Sequence, residues 1–140
     1  MHAINIKAVL LASLAVIGVD ILSGMMLLGI YAPELTSTMT DEQLRRALAA
    51  LMQNREYVVL SLILGTASTM LGGYLAARLA RTVPFFNALA FGVLGVTLGL
   101  LTSGDLPTWY RVLGIGITIP AALIGAQIAK KRMKEIESDR

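Results

Sequence analysis

The sequence predicts an all-α integral membrane protein, an up-down bundle of four transmembrane helices with a short amphipathic helix between helices 1 and 2. Of the 140 residues, 56% are hydrophobic and 15% are charged, whereas about a quarter of the residues in a typical soluble domain are charged. The charges gather in a few short segments. Between these segments lie four apolar stretches of about 20 residues, the length that a helix needs to cross the hydrocarbon core.

The predicted spans cover approximately residues 8–33, 57–80, 84–103 and 109–129, within one transmembrane domain over residues 1–129. Each span should be helical, because backbone N–H and C=O groups cannot stay unpaired in lipid. Short turns before Pro84 and around Asp105 make the last three spans antiparallel neighbours. The first span is longer than the apolar region of a signal peptide, so we expect it to be retained.

A charged segment separates the first two spans, and within it residues 41–54 are predicted to form an amphipathic helix. Thr40 and Gln43 have the spacing of a capping box at its start. Apolar residues then recur at helical intervals, at Leu44, Ala47, Leu48 and Leu51. We interpret this helix as a structural one that lies in the membrane interface, caps the bundle or extends the second span, with partner binding as the alternative.

The protein is predicted to lie in an inner or plasma membrane. The distribution of its basic residues predicts that both termini are in the cytoplasm. In that orientation eight of the 12 Lys and Arg residues lie on the cytoplasmic side, as the positive-inside rule requires. Residues 130–140 then form a charged cytoplasmic tail. The same orientation places an aromatic belt at the outer level, formed by Tyr31, Tyr57, Trp109 and Tyr110.

Small residues repeat along the spans at intervals that favour close helix packing, which drives association in lipid. The predicted packing positions are Ser61, Gly65, Thr69, Gly73 and Ala77 in the second span, Gly92, Gly95 and Gly99 in the third, and Gly114 and Gly125 in the fourth. These positions serve packing within the chain, or the stripe in the second span serves as a homodimer face. Pro120 should kink the fourth span.

Asp20 is the one charged residue predicted near the bilayer centre, where an aspartate costs about 2.5–3.5 kcal/mol. No Lys or Arg is expected at its depth. We therefore expect a carboxyl that is protonated or hydrogen-bonded, with Thr69, Thr97 and Thr118 as candidate partners. In the structural interpretation a neutral Asp20 clamps its helix to a neighbour. In the functional interpretation Asp20 binds a proton or a cation in a translocation path.

Two pairs of similar short segments suggest an internal duplication of a two-helix hairpin. Residues 16–20 resemble residues 93–97 with an offset of 77, and residues 71–76 resemble residues 124–129 with an offset of 53. A duplicated hairpin would place both copies in the same orientation in the membrane.

The residue types present exclude several chemistries. Without cysteine there is no disulfide or thiol catalysis, and His2 alone cannot form a zinc site or a catalytic triad. No phosphate-binding loop or nucleophile elbow is present. We therefore expect no catalysis, no metal and no cofactor, and we interpret the basic residues as lipid contacts, not as a nucleic-acid surface.

The function favoured by these features is that of a non-catalytic accessory, assembly or scaffold subunit that acts through helix-helix contacts. Its expected partners are the lipid bilayer and either further copies of the chain or a larger membrane-protein complex. The alternative is a small oligomeric transporter or channel that uses Asp20. A membrane-lesion protein, similar in outline to phage holins, is a remote third interpretation.

Overall fold

The computed structural model describes residues 4–35, 38–102 and 106–138, and this part of the chain contains five α-helices and no strand. The helices are α1 (Ile6–Tyr31), α2 (Asp41–Leu51), α3 (Arg55–Ala80), α4 (Pro84–Thr102) and α5 (Thr108–Ser138). All but α2 are long and apolar enough to cross a membrane. The predicted four-helix membrane architecture with a short helix between the first two spans is thereby confirmed.

The helix ends differ from the predicted spans in ways that local chemistry explains. α1 begins at Ile6 because the side chain of Asn5 caps it, accepting a hydrogen bond from the Ala8 N–H. α5 runs on to Ser138, because the segment after residue 129 contains Lys, Arg, Met and Glu but neither Gly nor Pro. The turn predicted around Asp105 lies outside the described residues, except for Leu106 and Pro107.

The helix between the first two spans begins with the predicted capping box. The Thr40 side chain accepts from the Gln43 N–H, and the Gln43 side chain accepts from the Thr40 N–H. The helix ends at Leu51, three residues early, because Asn54 caps α3 instead. No extensive helix contact in the described chain involves α2. Leu44 and Leu48 of its apolar face are exposed, whereas Leu51 at its end is buried, which favours an interfacial position over a lid.

α3 is the central helix of the bundle, in contact with α1, α4 and α5, and its contact with α5 is the largest. Cross-helix pairs establish the up-down order. Tyr31 meets Tyr57 at one end, which we call the aromatic end. The backbone of Asn5 meets Asn87 at the other, which we call the basic end because Arg81 lies there. α1 is therefore antiparallel to α3.

The backbones of α3 and α5 touch in the half of the bundle nearer the basic end. A Cβ atom on Gly73 would overlap the carbonyl group of Ala122, and one on Gly125 would overlap the carbonyl group of Met70. A Cβ on Gly72 would overlap the ring of Phe91. Only glycine fits at Gly73 and Gly125, where the overlap is with backbone, so these two residues allow the close approach of the helices.

Asn87 joins three segments at the basic end. It is completely buried and accepts from the Asn5 N–H at 2.8 Å. Its amide nitrogen donates to the carbonyl oxygens of Thr82 and Val83 at 3.0 and 3.1 Å. The turn that it holds is unusual, because Arg81 and Val83 have φ values of 57° and 41°, which are rare for residues other than glycine.

Helix α5 continues through Pro120, which lies on its exposed side next to the buried Ala121 and Ala122. A proline ring crowds the carbonyl group four residues earlier; here that residue is Gly116. Beyond the apolar part of α5, the Lys130 ammonium lies 5.2 Å from the ring centre of Phe85. The helical extension is thus held against the start of α4.

Candidate functional site

The half of the bundle nearer the aromatic end is open, in contrast to the packed half. At seven glycines an added Cβ would meet no atom within 4 Å beyond its own helical turn: Gly18, Gly24, Gly29, Gly65, Gly99, Gly114 and Gly116. Four of them line a cleft of about 380 Å³ between α1, α3, α4 and α5. The missing side chains leave this space, which lies within the size range of small-molecule sites.

The predicted packing positions divide between the two halves. Gly73, Ala77, Gly92 and Gly125 are buried in helix contacts. The other six line the cleft: Ser61, Gly65, Thr69, Gly95, Gly99 and Gly114. The small-residue stripe of α3 therefore packs on α5 over one half of its length and faces the cleft over the other.

Asp20 of α1 lines this cleft, and its hydrogen-bond partner is Ser68 of α3. Ser68 Oγ is buried and donates to Asp20 Oδ1 at 2.5 Å. Among the described residues this bond ties the middle of α1 to the middle of α3. Sequence reasoning missed Ser68 because it judged depth alone, and Thr69, one position later, points about 100° away around the helix.

The three threonines expected to pair with Asp20 bond within their own helices. Thr69 donates to the Gly65 carbonyl at 2.8 Å, Thr97 to that of Val93 at 2.9 Å and Thr118 to that of Gly114 at 2.7 Å. Thr69 and Thr118 still line the cleft with Asp20. Thr97 lies on the exposed side of α4, so the structure does not bring it to the site.

Two further hydroxyl groups in the cleft wall also donate to their own helix. Ser61 Oγ bonds the Val58 carbonyl at 2.9 Å, and Thr66 Oγ1 bonds that of Leu62 at 2.7 Å. The Tyr110 hydroxyl lies 3.2 Å from Ser61 Oγ. Because the Ser61 hydrogen is already donated, Tyr110 is the donor in this second bond.

Tyrosines and one arginine surround the cleft at the aromatic end. Tyr57 and Tyr110 line it together with Arg111, and edge-to-face contacts with Tyr31 and Trp109 hold the two tyrosine rings. Along α3, Ser68 follows Ser61 by seven residues, so Asp20 lies about 10 Å deeper than Tyr110 at 1.5 Å per residue. The positive group is thus at the aromatic end of the cleft, which we call its mouth, and the carboxyl of Asp20, an exposed residue, lies at the deeper end.

The cleft offers a single carboxyl group. Within the described residues no group of three or more His, Cys, Asp or Glu side chains could hold a metal ion. The Asp20 carboxyl, with the Ser68 hydroxyl beside it, suits hydrogen-bond donors and single positive charges.

The fold and the cleft define the class: this is a polytopic α-helical membrane protein with an ionisable group in mid-span that lines a cleft between its helices. No family model, curated protein or solved structure matches the chain. Its function is therefore inferred from its own residues and their geometry.

Proposed function

We propose that the protein is a non-catalytic accessory or assembly subunit that acts through contacts between its helices and those of a partner. The unpacked glycines that lie outside the cleft, Gly18, Gly29 and Gly116, carry this proposal. Glycine weakens a helix by about 1 kcal/mol relative to alanine, and in lipid it favours association where another helix approaches closely. Gly18 and Gly29 are exposed, lie outside the cleft and, being 11 residues apart, share one face of α1.

We further propose that the protein lies in the inner or plasma membrane with both termini in the cytoplasm. The basic end of the bundle carries Arg78 and Arg81, and the extension of α5 beyond it adds Lys130, Lys131, Arg132 and Lys134. The aromatic end carries fewer basic residues. This asymmetry is the one that cytoplasmic loops and tails show.

The mass of the purified particle tests the subunit proposal. In mild detergent, native mass spectrometry should show a species heavier than the 14.9 kDa monomer, either an oligomer or a complex. Gly18→Leu and Gly29→Leu should release the monomer, because a leucine would hold the second helix away. Leu101→Phe is the matched control, since Leu101 is 77% exposed and added bulk there faces lipid. A monomer in every mild detergent would contradict the proposal.

A small oligomeric transporter or channel is the second candidate, favoured by the position of Asp20 at the deeper end of the cleft. An ionisable group in a membrane helix typically faces a water-filled cavity and marks an ion path. Here the cleft leads from the aromatic end to Asp20, and the touching backbones of α3 and α5 close the bundle beyond it.

Flux measurements in proteoliposomes separate the second candidate from the first. The wild type and Asp20→Asn are reconstituted at equal density, and proton and monovalent-cation flux is followed under an imposed gradient. Flux that the Asn variant lacks would support transport. No wild-type flux under any gradient would exclude transport and leave the subunit function.

A further inference from the structure

We propose that the cleft is a binding site for a small protonated amine, whose ammonium group sits on Asp20 and whose apolar body fills the space above it. The proposal concerns binding alone. It requires neither translocation nor a partner helix, and so goes beyond both functions considered above.

The charge of Asp20 favours a cationic ligand. Asp20 is the only residue of a charged type in the middle of any described span. Helix α4 has no charged residue, and every other charged residue of α1, α3 and α5 lies in an end turn or in the extension of α5. Within the described chain the carboxyl has no cationic partner, and Ser68 engages only its Oδ1 atom. An ionised carboxylate without a counter-charge is unfavourable at this depth of a membrane, and a ligand cation would compensate it.

The hydroxyl groups of the cleft wall favour a ligand that donates hydrogen bonds. Ser61, Thr66, Thr69 and Thr118 all donate their single hydrogen to a carbonyl group of their own helix. Their oxygen lone pairs remain as acceptors. Apart from Ser23, whose hydroxyl also lines the cleft, the hydroxyl groups of the wall near Asp20 therefore act as acceptors. This favours a ligand with N–H groups over an anion or a neutral acceptor.

Ser68 lies between two hydrogen-bond acceptors, Asp20 and the Gly65 carbonyl. Ser68 Oγ lies 2.5 Å from Asp20 Oδ1 and 3.0 Å from the Gly65 carbonyl oxygen, but it has one hydrogen. The shorter contact makes Ser68 a donor to Asp20 Oδ1, and Asp20 Oδ2 has no donor among the described residues. An ammonium group bound in the cleft would donate to Oδ2 while Oδ1 keeps the Ser68 bond. The other titratable groups that face the cleft are Tyr57, Tyr110 and Arg111, and α4 contributes none.

Size, depth and the mouth define the ligand further. Leu27, Leu62, Val96 and Ile115 line the cleft and suit an apolar body, and the rings of the two tyrosines at the mouth add aromatic contact. Arg111 at the mouth would repel a second positive charge, so a monoamine fits better than a polyamine. A lipid amine stays at headgroup level, near the tyrosines, whereas Asp20 lies about 10 Å deeper.

Calorimetric titration of the purified protein with three probes that share a phenylethyl group tests the proposal. 2-Phenylethylamine should bind in a 1:1 ratio, and 2-phenylethanol and 3-phenylpropanoate should bind at least about 10-fold more weakly, the value of one charge-assisted hydrogen bond. Asp20→Asn should lower the amine affinity by a similar factor. Asp41→Asn, at an exposed acid of α2, is the control that should leave it unchanged. Added phosphatidylethanolamine should not compete.

Three outcomes would overturn the proposal. Equal binding of the alcohol and the amine would show an apolar cleft without an ion site. Tighter binding of the carboxylate would place the anchor at Arg111, and competition by phosphatidylethanolamine would place the amine at headgroup level. If Asp20→Asn does not fold, Gly65→Leu provides a second test, because it fills the cleft and keeps the carboxyl. Unchanged amine binding in Gly65→Leu would also contradict the proposal.

Discussion

Asn87 illustrates how one polar side chain fixes a membrane bundle at the residue scale. Its three hydrogen bonds reach the backbone ahead of α1 and the turn before α4. Nothing in the sequence marks it, since an asparagine at the start of an apolar span reads as a boundary residue. Only the folded chain brings Asn5 and Asn87, 82 positions apart, into contact.

We predict that Asn87→Ala lowers the free energy of unfolding by at least about 2 kcal/mol, because it removes the three hydrogen bonds that this completely buried side chain makes. The matched control is Asn54→Ala, which removes the exposed cap of α3 and should cost about 1 kcal/mol. Reversible unfolding in mixed detergent, followed by circular dichroism, measures both. A larger loss in the Asn54 variant would contradict the role given to Asn87.

The bond between Asp20 and Ser68 yields a second prediction at this scale. Asp20→Asn retains an oxygen that can accept from Ser68, so the protein should fold and melt close to the wild type. Asp20→Leu removes the bond and leaves the buried Ser68 without this partner. A fold that tolerates Leu and is destroyed by Asn would refute the structural clamp. Thermal melting of both variants in one detergent makes the comparison.

Element by element, the spans were predictable and their rotation about their own axes was not. Hydropathy and length are properties of the linear sequence, and they located all four long helices. Rotation about each helix axis depends on which neighbour it meets, and α1 and α4 are apolar almost all round. Ser68 rather than Thr69 therefore faces Asp20, and the small stripe of α3 divides between a packed half and a cleft.

The proposed hairpin duplication also belongs to this scale. α3 begins at Arg55 and α5 at Thr108, a separation equal to the offset of 53 between the similar segments. α3 and α5 run parallel and touch near those segments. The packing around them is less regular, because α3 contacts α4 extensively whereas α1 and α5 share no extensive contact. The duplication stays a hypothesis.

The crossing of α3 and α5 makes a prediction that two glycines of one helix can test. Gly73→Ala should destabilise the protein by about 1–3 kcal/mol, because the added methyl group meets the backbone of Ala122. Gly65→Ala should be neutral or stabilising by up to about 1 kcal/mol, because it adds helix propensity where there is open space. Unfolding in mixed detergent ranks the two variants. Equal effects would contradict the described packing.

At the scale of the whole molecule, four of the five described helices require lipid around them. Their outward faces carry large exposed apolar residues along their lengths, among them Leu22, Met25, Phe86, Leu101 and Val112. A monomeric water-soluble protein rarely exposes an apolar surface of this extent. In a bilayer the same residues are solvated by acyl chains, and the interior is left to glycine, alanine and a few hydrogen bonds.

The most direct test of this claim uses the absence of cysteine from the chain. Single cysteines are placed at Gln53, before α3, and at Ser138, at the end of α5, and intact cells are treated with a membrane-impermeant maleimide. Four crossings with both termini inside predict that Gln53→Cys is labelled at once and Ser138→Cys only after permeabilisation. Labelling of both sites in intact cells, or recovery of the folded protein in the detergent-free supernatant, would contradict the account.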